Sequence, residues 1–368
     1  MKDTNLKYLH GLVKLEGIGP KRIDKLLAVL GTPKEIWEAS AEKLKQVEGI
    51  GGNLAAKMRA SIEQANLDTA WEQTKNFGIQ LLDRSNGFYP GSLNEIHTPP
   101  VLLFCKGDLD LLKSPMLGIV GTRSPTRYGY EVLNRIIPEL CEAGIVIVSG
   151  FARGIDGIAH DICLKNRGKT IAVLGGGIDR IYPPEHNELY KKIIAEGLLI
   201  SEYPLGKAPQ PGNFPARNRI ISGLSKAVLV VEAPGKSGAM ITAELALEQN
   251  KDVMVIPGNI TSPKSKGCNE LMREGAKPVL EAADILEEFE GLISDLETRN
   301  SDKWQVGELF EKDSRLLSMV PPYPYKLHLE ELLTESKLKH EVFIQEILEL
   351  ELNGYIVKQA GGFVSRIK

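Results

Sequence analysis

At 368 residues, with 42% hydrophobic and 25% charged positions, the chain has room for two or three domains and at least one large core. A net charge of −3 excludes a polycation that coats nucleic acid, so a nucleic-acid site has to be a local patch. Four scattered cysteines without a CxxC pair argue against a disulfide framework or structural zinc, and the lack of an apolar leader or a run of roughly 20 apolar residues predicts a cytoplasmic protein with no membrane contact.

In chain order, Leu15–Lys21 (LEGIGPK) and Val47–Asn53 (VEGIGGN) each place Gly-x-Gly between an apolar residue and a helix start. The pattern predicts a paired helix-hairpin-helix module over residues 1–70. Its tight turns can present backbone N–H groups to a DNA phosphate, or serve purely for packing or protein contact. Residues 71–112 carry turn signals at Tyr89-Pro-Gly91, Thr98-Pro-Pro100 and Lys106-Gly-Asp108 and read as a small α/β extension.

Six apolar runs follow, at 117–120, 145–148, 170–174, 198–201, 227–231 and 252–256, with helix-length segments at Tyr130–Ala143, Asp156–Arg167, His186–Glu196 and Ala239–Gln249. Apolar runs without polar alternation suit strands buried on both faces. Their order predicts an α/β, doubly wound parallel sheet over 71–291, with a ligand crevice beyond the carboxyl ends of its strands. Three runs end in Gly-rich turns, at Gly121, at Ser149-Gly150 and at Gly175–Gly177, where bare backbone can approach an anion. Phe214–Leu224, with Arg217, Asn218 and Arg219, reads as a connecting loop, and Glu232–Thr242 as a further Gly-rich turn opening a helix. Residues 292–326 read as a linker, and 327–368 as helices followed by a hairpin around Gly361-Gly362, a winged helix. Its helix His340–Leu352 carries four glutamates and no Lys or Arg, which predicts a protein-contact surface rather than a major-groove reader.

There is no Gly-x-Gly-x-x-Gly with an acidic partner and no P-loop, so neither a nicotinamide dinucleotide nor ATP, nor any other cofactor or metal, is expected. Arg123, Arg127, Arg153, Arg217, Arg219 and Lys236 all fall in or beside turns expected at the mouth of the sheet, and guanidinium forks suit phosphate. Phe214 and Phe151 can stack on bases or fill core. Ser149, Asp156 and His160 superficially suggest a hydrolase triad, but Ser149 lacks a Gly-x-Ser-x-Gly elbow. Asp156 is instead expected at a helix start, with His160 fastening that helix to the adjoining loop.

Taken together, Tyr89-Pro, Gly121-Thr-Arg123, Ser149-Gly150, Gly154-Ile-Asp156, Ala159-His160, Tyr182-Pro, Ser201-Glu202, Phe214-Pro, Arg217-Asn-Arg-Ile-Ile221, Glu232, Ser237-Gly238, Thr242-Ala243, Pro257-Gly258, Asn269 and Gly275-Ala276 resemble the DNA-processing protein DprA (Smf) family from Tyr89 to Val279. The resemblance implies an extended Rossmann domain that binds single-stranded DNA, self-associates and helps load the RecA recombinase in natural transformation, without being an enzyme. Carried over by motif, the DNA pocket would hold Arg123, Ser149, Gly150, Phe214, Arg217, Asn218 and Arg219, with Gly121 and Lys236 in the adjoining turns. Leu271, Met272 and Val279, after the last expected strand, are the candidates for a homodimer contact. The alternative is a nucleotide-hydrolysing enzyme: Pro234–Glu244 resembles the Pro-Gly-Gly-x-Gly-Thr turn of nucleoside-monophosphate phosphoribohydrolases, with Lys236 in place of the second Gly.

Overall fold

The computed structural model describes residues 2–292, 315–321, 326–352, 355–359 and 362–366. By packing, the chain divides into two compact units, residues 1–299 and 300–368.

All six expected strands form in the first unit, within a nine-stranded sheet. In chain order the strands are β1 (Gln80–Asp83), β2 (Leu102–Gly107), β3 (Met116–Gly121), β4 (Val146–Ser149), β5 (Thr170–Leu174), β6 (Leu198–Ser201), β7 (Ala227–Val231), β8 (Asp252–Val255) and β9 (Lys277–Pro278). Their order across the sheet is β1-β2-β6-β5-β4-β3-β7-β8-β9. Pairing is parallel from β6 through β9, while β2 and β1 join antiparallel at one edge and constitute the expected α/β extension. The helices that follow α1 (Lys2–Leu12) are α2 (Pro20–Leu30), α3 (Pro33–Glu38), α4 (Ala41–Lys45), α5 (Gly52–Gln64), α6 (Leu67–Asn76), α7 (Gly91–Asn94), α8 (Arg127–Glu142), α9 (Ile155–Lys165), α10 (Asn187–Glu196), α11 (Asn213–Leu224), α12 (Gly238–Glu248), α13 (Lys266–Arg273) and α14 (Ala283–Leu286).

The apolar runs do not alternate because helices cover both faces. Along β3, Leu117 and Ile119 pack with Leu133 and Ile137 of α8 and Ala159 of α9. Met116 and Val120 point the other way, among Ile220 and Leu224 of α11 and Ala243 of α12. Phe214–Leu224, expected as a loop, is therefore helical. Its buried Arg217, Ile220, Ile221 and Leu224 recur at helical spacing, and the two arginines disguised that stripe as loop surface.

The N-terminal module forms both predicted hairpins. Gly17 and Gly49 take φ values of 78° and 84°, each followed by a buried isoleucine, Ile18 or Ile50. Gly19 and Gly51 then precede α2 and α5, with Pro20 in the first turn of α2, where its missing N–H costs nothing. The module does not end at residue 70. Helix α6 packs back on α1, His10 Nε2 lies 3.1 Å from Thr74 Oγ1, and the His10 ring meets Trp71 edge-on.

The expected dimer residues need correction. Leu271 and Val279 are 3% and 1% exposed and belong to the chain's own core, because α13 folds back on β8 and β9 closes the sheet. Only Met272, at 37%, offers surface.

In the second unit, Arg315–Met319 is a helix within the expected linker, and its Leu316 joins Leu332, Phe343, Ile347 and Val364 in a small core. Helices Leu329–Ser336 and His340–Leu352 lie with a three-stranded antiparallel sheet of β10 (Leu327–His328), β11 (Ile356–Gln359) and β12 (Phe363–Arg366), in the order β10-β12-β11. The remainder of the expected linker, 293–314 and 322–325, and Gly361 of the hairpin lie outside the described residues. Among the described residues no helix is long and apolar enough to cross a membrane.

Candidate nucleic-acid interface

β3 lies between β4 and β7, where the strand order reverses, so the connections leaving the carboxyl ends diverge and open a crevice. A cavity of about 450 Å³ occupies it, walled by Gly121–Arg123 after β3, Ala152 and Asp156 after β4, the start of α12 after β7, and one face of α11. Two glycines let the β3 and β4 turns interlock. A Cβ on Gly121 would run into the Val231 carbonyl oxygen and lie 2.6 Å from Ile155 Cγ1. Gly154, at φ 75°, has the Thr122 carbonyl oxygen against it and Arg123 C only 2.6 Å from where a Cβ would sit.

Arg217 and Asp156 form the floor. The Arg217 guanidinium donates to the carbonyl oxygens of Gly150 and Val173 and, through Nε at 3.2 Å, to Asn218 Oδ1. Asp156 Oδ2 accepts from the Ala152 N–H at 3.3 Å. Burial holds the Arg217 pKa down at about 10, even though Asp156 raises it. Burial likewise raises Asp156, more than the guanidinium lowers it. Burial thus outweighs the through-space attraction on both groups, as expected for desolvated charges. Gly150 makes room for them, since a Cβ there would lie 2.6 Å from Asp156 Oδ2 and 2.8 Å from Arg217 Nη2.

The mouth has a different chemistry. Arg123 is exposed, with its guanidinium carbon 5.7 Å from the centre of the Phe214 ring. Phe214 in turn meets Tyr182 at 5.6 Å between centroids, and Arg153 lies 5.9 Å over Tyr182 while paired to Glu185. The result is a row along the rim of two adjoining rings with a cation at each end. At the opposite wall the first turn of α12 faces the cavity. Its N-cap Ser237 has a buried hydroxyl with no hydrogen-bond partner. A helix N-terminus with a free hydroxyl suits an anionic oxygen. Among the described residues no His/Cys/Asp/Glu cluster could hold a metal.

Comparison with known proteins decides the family. Residues 80–290 match the model of DNA recombination-mediator protein A, and residues 10–64 match a SAM-like helix-hairpin-helix tandem. The chain belongs to the DNA recombination-mediator protein A family. Within it, the Smf protein of Synechocystis is 41% identical over 290 residues, covering 78% of this chain and 73% of that protein. The crystal structure of DNA processing protein A from Streptococcus pneumoniae superposes with a TM-score of 0.69 at 38% identity, covering 77% of this chain and 97% of that one. A structure of the Helicobacter pylori protein, described for its single-stranded DNA binding mode, has a TM-score of 0.52 at 34% identity over 60% of this chain and 97% of its own.

Not every expected residue of this family member reaches the cavity. Gly121, Arg123, Phe214, Arg217 and Asn218 line it. Ser149 is wholly buried and donates to the Ile119 carbonyl oxygen at 2.6 Å. Phe151, 1% exposed, fills core against His160 and His186. Arg219 projects from the other side of α11, bonds Glu202 at 2.5 Å and the Thr98 carbonyl oxygen at 2.9 Å, and lines a separate cleft facing the first hairpin. Lys236 and Arg127 are exposed outside the cavity, and Arg127 pairs with Glu131. The six cations therefore do not converge.

The hydrolase triad does not assemble either. His160 Nδ1 lies 2.6 Å from Thr170 Oγ1, so the ring is fastened to β5 rather than to a loop, and burial drops its pKa to about 3. Sequence reasoning did not single out Tyr182 as a stacking ring or Glu232 as a clamp. Glu232 is buried and accepts from the Thr126 N–H and hydroxyl at 2.7 and 2.6 Å.

Proposed function

We propose that this chain binds single-stranded DNA at the cavity mouth and acts as a recombination mediator, helping to load RecA in the cytoplasm of its host. The observation that carries the reading is the juxtaposition of Arg123 and Phe214 on one rim with the free Ser237 hydroxyl at the start of α12 on the other. The first pair suits an unstacked base and its phosphate, and the second a further phosphate oxygen. The Helicobacter pylori relative, whose structure is described for its single-stranded DNA binding mode, supports it.

Single-strand affinity measured by fluorescence anisotropy tests the reading. Phe214→Ala should weaken binding by about 1–3 kcal/mol, the range for one base–aromatic stack. Arg123→Ala should cost about 1.5–3 kcal/mol, as for a hydrogen bond to a charged group. It should also flatten the salt dependence by about 0.7, the increment for one phosphate contact on a single strand. Parental affinity and slope in both variants would remove the mouth from the interface.

The reading includes a homodimer and a partner-binding C-terminal domain. With Leu271 and Val279 buried, Met272 and the 71% exposed Leu280 flank them and offer apolar surface for self-association, as does the 92% exposed Ile260 nearer β8. Light scattering on Met272→Glu/Leu280→Glu should show a monomer, and an unchanged mass counts against this face. The helices and hairpin of the second unit support a winged helix, with Val342, Ile344 and Leu348 exposed along its acidic helix. Deleting residues 300–368 should spare single-strand affinity and reduce RecA filament assembly on the bound strand. Full RecA loading by the shortened chain would exclude that domain as the contact.

A further inference from the structure

Of the four cysteines scattered along the sequence, two meet in the fold. Cys141, in the last turn of α8, and Cys163, in α9, have their sulfur atoms 3.7 Å apart. Cys163 Sγ also lies 3.3 Å from the Lys169 carbonyl oxygen. The pair sits over Gly168. A Cβ there would run into Cys141 Sγ and come within 2.8 Å of Cys163 Sγ, so only glycine leaves both thiols their space. Cys105 and Cys268 are each wholly buried, whereas Cys141 is half-buried and reachable from solvent.

We propose that Cys141 and Cys163 form a reversible intrachain disulfide by exchange with a low-molecular-weight disulfide. Cys141 is the attacking sulfur. It is the exposed member, and the hydrogen bond with Cys163 lowers its pKa, while the same bond and burial raise that of Cys163. The Cys141 thiolate attacks one sulfur of the small disulfide, forming a mixed disulfide and releasing one small thiolate. Cys163, as its proton leaves, attacks Cys141 Sγ and expels the second small thiolate. The two thiol protons end on the two small thiols released, so the protein loses two electrons and two protons and the small disulfide gains them. Bonding sulfurs stand about 2.05 Å apart, so the pair must close by roughly 1.7 Å, within reach of side-chain rotation over a bare glycine. The site is remote from the cavity. α8 starts at the cavity turn, and Cys141 lies fourteen residues beyond Arg127, roughly 20 Å along the helix.

The full chain treated with oxidised glutathione, alkylated and mapped by mass spectrometry provides the test. The expected product links Cys141 to Cys163, leaves Cys105 and Cys268 as thiols that alkylate only after denaturation, and melts roughly 5 °C or more above the reduced protein. Cys163→Ala should stop at a glutathione adduct on Cys141, because the resolving thiol is gone, and Cys141→Ala should not react while folded. Free thiols throughout, a persistent glutathione adduct in the unaltered chain, or a disulfide formed only on unfolding would each overturn the proposal.

Discussion

Replacing Arg217 by Met is expected to destabilise the protein by about 3–5 kcal/mol, because it leaves the buried Asp156 without the opposite charge that acts on it and two buried carbonyls without their donor. Met fills much of the volume, so the loss is electrostatic rather than a cavity. The Gly150 and Val173 carbonyls lose their donor, and Asp156 is left in a wall that already raises its pKa by burial. Without the guanidinium, whose charge holds it down, that pKa rises further.

A pH signature follows, with a definite sign. A carboxyl whose folded pKa lies above its unfolded value binds more protons in the native state. Its contribution favours folding below the unfolded value, about 3.9, and is lost as pH rises through the folded pKa. The deficit of Arg217→Met relative to the parent should therefore be smallest near pH 4 and largest at neutral pH in denaturant titrations. A deficit independent of pH would mean that Asp156 does not sense Arg217. Because Nε and Nη1 of Arg217 already donate to internal acceptors on the cavity floor, its removal should leave the salt slope of DNA binding intact, unlike that of Arg123.

These two arginines show what a sequence can and cannot display. Strand runs such as Val228–Val231 and the Gly-rich ends of β3 and β4 are local properties, and they located the sheet and put the crevice at the carboxyl ends of its strands, whereas the switch point at β3 depends on the strand order. Whether an arginine faces in or out is not local. Arg217 and Arg219 are two positions apart on α11, about 200° around a helix, so they enter different environments. One lies on the cavity floor, while the other is paired with Glu202 over a second cleft. Reading the segment as a loop hid that divergence. Leu271 and Val279 were misread for a related reason, since an apolar residue after the last evident strand looks unpartnered until β9, only two residues long, is seen to close the sheet. The two meeting thiols, 22 positions apart, carried no sequence signal at all.

Glu232→Ala should cost about 2–3 kcal/mol in stability, from the loss of charge-assisted hydrogen bonds and of an anion at a helix start. Helix α8 has no capping bond from its own N-cap, because the Thr126 hydroxyl donates to Glu232. The carboxylate arriving from the end of β7 takes over, accepting the Thr126 N–H, while the Glu232 carbonyl oxygen accepts the Thr122 N–H at 2.7 Å. The turn that carries Arg123 is thus pinned at both ends by one residue. That clamp is fitted closely, since a Cβ on Gly129 would lie 2.5 Å from Glu232 Oε2. Glu232 does not line the cavity, so its effect on DNA has to pass through the turn. Single-strand affinity of Glu232→Ala should fall toward that of Arg123→Ala, and the double variant should lose much less than the sum, as coupled neighbours do. Glu232→Gln, which keeps one acceptor and the shape, should lie between. Circular dichroism confirms that each variant is folded before titration. If the Glu232 and Arg123 losses simply add, the clamp stabilises α8 without positioning Arg123.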